Sequence, residues 1–501
     1  MRQEPVLVSS RIVNGYPDAT QDMNYKRDDD LSSLLTSYFK TNELRNNFDQ
    51  ITEGFKKSIF EAILKSGNCM IPCFNVVCEE NDEVKGNFAI IDIGGSTLRV
   101  SIVKFYGDRQ AECTINKSWL IEDQNKNLDH KFFQWVAENF KSVVPADIIE
   151  SLKNSRGNIK LGITWSFPIN QTTSPNRGNI SDLGKGFSVI DEFKEKDMKD
   201  IFEESFAKVA IPVEVYSIVN DSTSVLITGS YFKNAKLGLV QGTGVNSCFL
   251  VDSCLLNDTK KNALPGNSDN KKILLNSEAS FLGAHLKEYV TSADVKLNGL
   301  WDIMGDGSTL PPHLTTEAYG VFQPLEIMTS GRYIPEIVRL TVEKIIADGY
   351  ESFEGGVPKG LEAEYSLTAE CLSTLYQCEN LESFQSALNK KFPAKGLKIQ
   401  DLNNLKIITK VIILRASIIL ASYIIALLEV SGTTNIPNAD IAVVGSMLEH
   451  FPKYKSKVLE ILDVETKARG LPKVTFNFIK DSSIYGASIA AYVNQKKMSL
   501  D

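Results

Sequence analysis

The hydrophobic pattern of the chain contains two apolar runs, each broken by a glycine turn. The first reads NFAIID, IGGST and LRVSIVKFY over residues 87–106, and the second reads KLGLV, QGTG and VNSCFLV over residues 236–251. Short apolar runs bounded by glycine turns are typical of β-strands. The same strand–turn–strand unit therefore occurs twice, about 150 residues apart. Two related lobes that face each other would explain the repeat, and a chance likeness between two hairpins is the alternative.

Further elements follow from the same pattern. Residues 31–64 have the apolar spacing of a helix, and VEVYSIV predicts a strand that ends at Asn220 and Asp221. A strand over residues 440–446 ends at a glycine, and residues 482–492 predict a helix with a face of small side chains. The polar segment 257–272 predicts an exposed loop.

The segment from Val411 to Leu428 is apolar enough to suggest a membrane span. Arg415 lies within it, however, and alanine and serine recur along its length. Small side chains allow neighbouring elements to approach closely. We therefore interpret this segment as a helix buried between other parts of the protein.

Length and charge limit the class of protein. A chain of 501 residues predicts two large domains. Its net charge of −8 argues against a nucleic-acid partner, although a glycine turn can bind phosphate even on an acidic protein. The first thirty residues are polar and show no apolar leader, so we predict a mobile tail. Eight scattered cysteines without a CxxC pair indicate reduced thiols and a cytoplasmic location.

Two glycine turns and a few carboxylates are candidates for chemistry. Glycine lets successive backbone N–H groups of Gly94–Thr97 point at one anion, Asp92 could hold hydrated Mg²⁺, and Arg99 could contact phosphate. A plain hairpin turn is the alternative, since no GxxxxGK[ST] loop occurs. At the end of its strand, Asp221 could accept a proton from an attacking hydroxyl or simply cap a helix. Two glutamates could pair with sugar hydroxyls, or be solvated surface residues: Glu278 and Glu326.

Taken together and in order, these segments resemble the hexokinase family from about residue 31 to the end. IDIGGSTLRV resembles its first phosphate motif and QGTGVNSC its second, while IVNDS resembles the strand end that bears the catalytic aspartate. LGITWSFPINQ and the stretch Gly184–Phe187 resemble the family's sugar-binding segments. The remaining likenesses are Met70–Pro72, NSEASFLG, PLEIMTSGRYIPEIVRL and, for the adenosine segment, VVGSMLEHFPKY.

The resemblance implies an α/β fold of two actin-like, ribonuclease H-like lobes with a sugar and ATP in the cleft. We expect a small domain of residues 84–222 with 471–501, and a large domain of residues 31–83 with 223–470. It implies Asp221 as the base that activates the 6-hydroxyl of the sugar. The implied sugar ligands are Ser166, Lys185, Asn220, Asn246, Glu278 and Glu326. The implied surroundings of Mg-ATP are Asp92, Gly94, Gly95, Ser96, Thr97, Arg99, Lys117, Gly242, Thr243, Gly244, Gly445 and Ser446.

Some positions depart from the usual family pattern. Gly184 replaces a threonine and Ala279 replaces a tryptophan, which predicts a roomier sugar pocket. Trp165 and Pro335 also differ. These features resemble the N-acetylglucosamine kinase branch found in fungi, and they favour phosphorylation of that sugar by ATP with weaker use of glucose. A general hexokinase and a non-catalytic sugar-binding regulator are the alternatives. We expect an amino sugar or hexose as the ligand and no nucleic-acid or membrane partner.

Overall fold

A computed structural model describes residues 31–498, apart from positions 66, 68, 80–81, 181–185, 266–270, 304–320, 350–352, 354–355 and 392–396. The predicted N-terminal tail, Gly184 and Lys185 therefore lie outside the described residues. The strands are β1 Ile71–Cys73, β2 Lys85–Ile93, β3 Thr97–Gly107, β4 Gln110–Leu120, β5 Asn127–Leu128, β6 Ile159–Trp165, β7 Ile169–Gln171, β8 Gly178–Ile180, β9 Ser188–Val189, β10 Val213–Asn220, β11 Leu237–Gln241, β12 Val245–Asp252, β13 Lys272–Asn276, β14 Asn438–Val444 and β15 Lys473–Phe478.

Helices surround these strands. They are α1 Leu31–Tyr38, α2 Thr41–Asn46, α3 Phe48–Leu64, α4 His130–Val143, α5 Ala146–Leu152, α6 Asp191–Lys194, α7 Met198–Lys208, α8 Asp221–Lys233, α9 Asp258–Asn262, α10 Ser292–Leu297, α11 Leu300–Ile303, α12 Pro324–Thr329, α13 Ile334–Ala347, α14 Ala369–Gln377, α15 Leu381–Lys391, α16 Ile399–Val430, α17 Ser446–Glu449, α18 Pro452–Arg469 and α19 Ser482–Met498.

Two sheets share one topology. The five-stranded sheet has the order β4-β3-β2-β6-β10, in which β2 pairs antiparallel with β3 and parallel with β6. In the six-stranded sheet, β13-β12-β11-β14-β15 repeats this order, with β11 antiparallel to β12 and parallel to β14, and β1 is added at the edge. The strands β2 and β11 occupy equivalent positions in the two sheets, and each ends at one of the glycine turns. The predicted pair of related α/β lobes is therefore confirmed, and the repeat is more than a likeness of two hairpins.

Each lobe has its own hydrophobic core. The core of the smaller lobe lies between the five-stranded sheet and helices α4, α5 and α7. The core of the larger lobe joins the six-stranded sheet to α1–α3 and to the long helix α16. A third cluster contains residues of α8 and α19 together with both sheets, such as Ile90 and Leu274. The junction between the lobes is thus itself packed with apolar side chains.

The long apolar helix α16 is a core element. Among the described helices it has the length and apolarity to cross a membrane, and its most apolar stretch is 94% buried inside the protein. Arg415, in its middle, has no exposed surface, and its guanidinium donates to both carboxylate oxygens of Asp294 at 2.8 and 2.9 Å. The charge that argued against a membrane span therefore has a buried partner.

Two expectations about segments need correction. The strand β15 pairs with β14 in the six-stranded sheet, so the chain passes to the smaller lobe after Phe478 and not at residue 471. The segment 257–272 was expected to be an exposed loop. It contains the helix α9, and the side chain of Lys260 in that helix is buried, with 7% of its surface exposed. A short helix with a buried cation cannot be recognised from a polar composition alone.

Candidate active site

The carboxyl ends of three parallel strands meet at one edge of the five-stranded sheet. Ile93 of β2 is in register with Trp165 of β6, and Trp165 is in register with Asn220 of β10. Beyond β2, the Gly94 N–H donates to the Thr97 carbonyl at 2.9 Å and closes the first glycine turn. Beyond β6, the Ser166 N–H donates to the Ile93 carbonyl at 3.0 Å. The sheet therefore gathers the first turn, Ser166 and the Asn220–Asp221 pair at the same edge.

Asp221 is the first residue of α8, and it is not the residue that caps the helix. Asn220 is the N-cap, and its side-chain oxygen accepts the Ser222 N–H at 2.9 Å. The Asp221 carboxylate also accepts this N–H, at 2.7 Å, and Asp221 is half-buried. The capping role that a strand-terminal aspartate often has is filled by its neighbour. The carboxylate of Asp221 is consequently placed where it can act as a base.

A chain of hydrogen bonds joins Asn220 to the larger lobe. The Ser222 hydroxyl lies within hydrogen-bonding distance of the side-chain oxygens of Asn220 and Asn276, at 2.8 and 3.1 Å, and can donate to either. The Asn276 oxygen also accepts from the Asn246 amide at 3.0 Å, and the Asn276 amide donates to Glu278 Oε1 at 2.7 Å. Buried amides that use both oxygen and nitrogen fix each other's orientation. Three of the predicted sugar ligands, Asn220, Asn246 and Glu278, thus belong to one network.

The backbone of Glu278 has an unusual conformation. Its φ and ψ angles are 45° and 52°, in the left-handed region that residues with a β-carbon rarely adopt. Such a conformation costs about 1–3 kcal/mol and is kept only where the surroundings enforce it. Here the next residue, Ala279, donates its N–H to Asn246 Oδ1 at 3.2 Å. The strain supports a functional role for the Glu278 carboxylate.

Glu326 lies beneath the second glycine turn. The N–H of Val245 donates to Glu326 Oε2 at 3.1 Å, and a β-carbon on Gly244 would lie only 2.6 Å from the same oxygen. The turn itself is closed by the Gly242 N–H donating to the Gly244 carbonyl at 2.9 Å. The absence of a side chain at position 244 therefore lets the glutamate approach the turn, which sets Glu326 beside the Asn246 strand.

The adenosine segment meets the second turn across neighbouring parallel strands. Val240 of β11 is in register with Val444 of β14, so Gly242 and Gly445 follow adjacent strand ends. Gly445 has a φ of 118°, and a β-carbon there would lie 2.4 Å from the carbonyl oxygen of Gln241. None of the turn glycines Gly94, Gly95, Gly242 and Gly244 has a left-handed φ. Among these five glycines, the left-handed conformation that favours glycine is therefore at Gly445.

Replacing Gly445 with alanine should raise the KM for ATP by about tenfold or more, because the methyl group would push the second turn away from Ser446. Misplacement by about 1 Å can cost up to about 10²-fold in an active site. Sugar binding, measured without ATP by calorimetry, should change little. The matched control is Gly432→Ala, which is also left-handed, with φ 67°, but has no atom within 4 Å of the added carbon. An unchanged KM for ATP in Gly445→Ala would contradict the assignment.

Asp92 and Arg99 form an ion pair beside the first turn. Asp92 Oδ2 accepts from Arg99 Nε at 2.8 Å, from Arg99 Nη2 at 2.5 Å and from the Ser483 hydroxyl at 2.9 Å. Burial raises the pKa of Asp92, the Arg99 guanidinium opposes the rise, and the Asp221 carboxylate adds to it. Arg99 was expected to contact phosphate, and in this structure it holds the Asp92 carboxylate. Ser483, from α19, was not predicted.

The predicted ligand Lys117 lies on a different face of its sheet from Asp92 and Arg99. Lys117 is exposed on β4 and lies opposite Val100, whose side chain is in the core of the smaller lobe. Residues opposite each other in a ladder share a face, and Arg99, one position along, points to the other face. The register thus does not bring Lys117 together with Arg99 and Asp92. Lys185 lies outside the described residues. Ser96 and Thr243 are exposed at the two turns, and Thr97 begins β3.

Several residues of the site had no signal in the sequence that marked their role. Asn276 and Ser222 connect the predicted ligands, and Ser483 fixes Asp92. Asn276 lies within the NSEASFLG string, but a string cannot show which of its polar side chains points inward. Ser483 is almost 400 residues away from Asp92 along the chain. Only the packing of α19 against the smaller lobe brings the two together.

Two sequence profiles, both described as hexokinase, match residues 34–231 and residues 236–493. The chain belongs to the hexokinase family. As a member, it is an ATP-dependent sugar kinase, and the resemblance seen in its motifs is confirmed. The two profiles meet between α8 and β11, where the chain enters the larger lobe.

Individual relatives of this chain agree with that assignment. It is 30% identical over 478 residues to N-acetylglucosamine kinase 1 of Candida albicans, covering 92% of this chain and 93% of that protein. It is 28% identical over 455 residues to a hexokinase of Kluyveromyces lactis, covering 87% and 86%. The solved hexokinase of Schistosoma mansoni complexed with glucose has a TM-score of 0.72 at 20% identity, over 92% of this chain and 99% of that one. This last likeness confirms the predicted two-lobed fold.

Proposed function

We propose that this hexokinase transfers the γ-phosphoryl group of ATP to the 6-hydroxyl of N-acetylglucosamine, with glucose as a weaker substrate. The observation that carries the proposal is the 30% identity, over 92% of the chain, to a protein named N-acetylglucosamine kinase 1. The hexokinases of two other yeasts are 28% and 25% identical over similar lengths. We propose that the reaction takes place in the cytoplasm, as the eight free cysteines support.

The contacts at the strand ends support a division of roles. Asp221 takes the proton of the 6-hydroxyl, since a carboxylate at hydrogen-bonding distance is the usual base in phosphoryl transfer to a hydroxyl. Asn246, Glu278 and Glu326 hold the ring hydroxyls, with Asn276 orienting two of them. Carboxylates and amides suit this task because each offers acceptors to neighbouring hydroxyls. In this division Ser166 and Asn220 approach the sugar from the smaller lobe.

The nucleotide side of the site is supported by the two glycine turns and by Gly445–Ser446. Backbone N–H groups in such turns are suited to phosphate oxygens. Mg²⁺ accompanying ATP would neutralise charge on the phosphates. The three donors to Asp92 Oδ2 hold its carboxylate in one orientation, which suits a carboxylate that contacts hydrated Mg²⁺ through water.

Ala279 is one of the two small residues expected to make the sugar pocket roomier. Ala279 has no exposed surface and lies in the core of the larger lobe. Its methyl group therefore does not line an open pocket, and a tryptophan there would overpack the core. Ala279→Trp is accordingly a poor test of sugar preference. Gly184 stays the relevant small residue, and Gly184→Thr, which restores the bulk usual in the family, is the substitution to make.

The kcat/KM for N-acetylglucosamine should exceed that for glucose by about tenfold or more, the scale of one small apolar group in an enzyme pocket. Production of each sugar phosphate from ATP should be measured with both sugars over a range of concentrations. A parallel preparation of Asp221→Ala shows how much activity comes from a contaminating kinase. Gly184→Thr should shift the ratio toward glucose. A clear preference of the unaltered enzyme for glucose would make the protein a general hexokinase instead.

A further inference from the structure

The side chain of Lys260 is a buried cation with no part in the proposed binding of sugar or ATP. Its Nζ donates to three backbone carbonyls: those of Ala62 at 2.5 Å, Cys69 at 3.1 Å and Met70 at 2.9 Å. Burial lowers the pKa of Lys260 to about 8. A buried charge is costly, and an apolar side chain of similar size would usually serve stability equally well. The presence of a lysine here therefore calls for a reason other than packing.

Lys260 connects the end of one helix to the segment that follows it. Ala62 lies in the last turn of α3, where carbonyls lack helical partners and carry partial negative charge. Asn257, the N-cap of α9, also caps this helix, since its Nδ2 donates to the Leu64 carbonyl at 2.8 Å. Its Oδ1 accepts the Lys260 N–H at 2.7 Å, so Asn257 caps α9 as well. Only Lys260 of this pair reaches onward to residues 69 and 70.

Residues 69 and 70 are in direct contact with the Glu278 segment. The Met70 N–H donates to the Ser277 carbonyl at 3.2 Å, and the Cys69 thiol donates to the Glu278 carbonyl at 3.9 Å. The next residue, Ile71, begins β1 and is in register with Asn276. Met70 and Glu278 both have left-handed backbones, with φ angles of 52° and 45°. Two strained residues therefore support one another across this contact, and each needs its surroundings to keep its conformation.

We propose that Lys260 is a positioning residue for sugar binding, which fixes the 69–70 segment and through it the orientation of Glu278. The inference rests on the proposed role of Glu278 as a sugar ligand. The ammonium group of Lys260 donates to a carbonyl in the last turn of α3 and to two carbonyls in the 69–70 segment, so it links the two. Without them, Met70 would be free to relax from its left-handed conformation. The contacts to Ser277 and Glu278 would then loosen, while the two glycine turns, which lie on other strands, would keep their shape.

Steady-state kinetics of the full chain would test this role. Lys260→Met should raise the KM for the sugar by about tenfold, on the scale of a displaced binding group. We expect a smaller change in kcat and an unchanged KM for ATP. Asn257→Asp is the matched variant, because it removes the donor to the Leu64 carbonyl of the same helix and keeps an oxygen that accepts the Lys260 N–H. It should lower the thermal midpoint and leave the sugar KM unchanged. If Lys260→Met does not fold, Lys260→Gln, which keeps donors on a shorter side chain, replaces it under the same criteria.

A double-mutant cycle that combines Lys260→Met with Glu278→Gln tests whether Lys260 acts through Glu278. If Lys260 acts through Glu278, the rise in sugar KM in the double variant should be clearly smaller than the product of the two single effects. Multiplicative effects would overturn the inference, as would a sugar KM that rises equally in Asn257→Asp. If Glu278→Gln leaves the sugar KM unchanged, both the role of Glu278 and that of Lys260 fall. The KM is measured with whichever sugar the unaltered enzyme prefers. A wrong assignment of the preferred sugar therefore does not affect the test of Lys260.

Discussion

Replacing Asp221 with alanine should lower kcat by about 10²- to 10⁴-fold, the usual contribution of general-base catalysis. The sugar hydroxyl is a poor nucleophile near neutral pH, and Asp221 is the carboxylate at the strand end where the predicted ligands from both lobes are joined. The substitution should alter the fold little, because Asn220 and not Asp221 caps the helix. Turnover is measured with saturating ATP and sugar, and sugar binding separately by calorimetry.

Binding should persist in this variant while turnover is lost, since Asp221 acts mainly in the transition state. Asp147→Ala is a suitable control, because Asp147 is also a carboxylate in the first turn of a helix but is exposed on α5. It shares the interaction of Asp221 with a helix N-terminus and should leave kcat unchanged. A correctly folded Asp221→Ala enzyme with near-normal kcat would show that another group accepts the proton.

Arg415→Met should lower the free energy of unfolding of the larger lobe by about 3–5 kcal/mol, because it leaves the Asp294 carboxylate as a buried charge without its partner. Both side chains have no exposed surface, and the guanidinium donates to each carboxylate oxygen. Arg415 also lies over the Phe39 ring at 4.9 Å, so it ties α16 to the N-terminal helices. Urea unfolding followed by circular dichroism gives the change.

The double variant Arg415→Met with Asp294→Asn should be more stable than Arg415→Met alone, since it removes the uncompensated charge. An asparagine oxygen can still accept from Thr291, whose N–H and hydroxyl donate to Asp294 Oδ2 at 2.8 and 2.7 Å. The control is Asp463→Asn, which breaks an exposed ion pair with Lys467 and should leave the unfolding midpoint nearly unchanged. A loss below about 1 kcal/mol in Arg415→Met would mean that water reaches Asp294.

The elements encoded by short stretches of chain were predictable. A strand, a glycine turn and a second strand are local features, so the two copies could be recognised at residues 87–106 and 236–251. The strand that ends at Asn220, just before Asp221, and the burial of α16 also follow from residue spacing and composition. Local hydrophobic periodicity determines these features because each depends on which side chains must avoid water within a few residues.

Other expectations depend on contacts between distant parts of the chain. Ala279 was expected to make the sugar pocket roomier, and its side chain is in the core. Lys117 was expected near the nucleotide; the register of β4 places it on the face opposite Arg99, and its contact with the nucleotide stays a prediction. A one-residue change of register moves a side chain to the other face of a sheet. Neither the register nor the depth of a residue can be read from its neighbours in sequence.

Residue spacing and composition predicted two related α/β lobes, two glycine turns suited to phosphate and an aspartate after a strand suited to accepting a proton. The groups that hold these parts in place became visible only in the fold: Asn276 between the predicted sugar ligands, Ser483 on Asp92, and Lys260 behind the Glu278 segment. The difference lies in the range of the interactions. Strands and turns arise from hydrogen bonds and burial along a short piece of backbone, whereas a polar side chain acquires its function from partners that folding brings to it from hundreds of residues away.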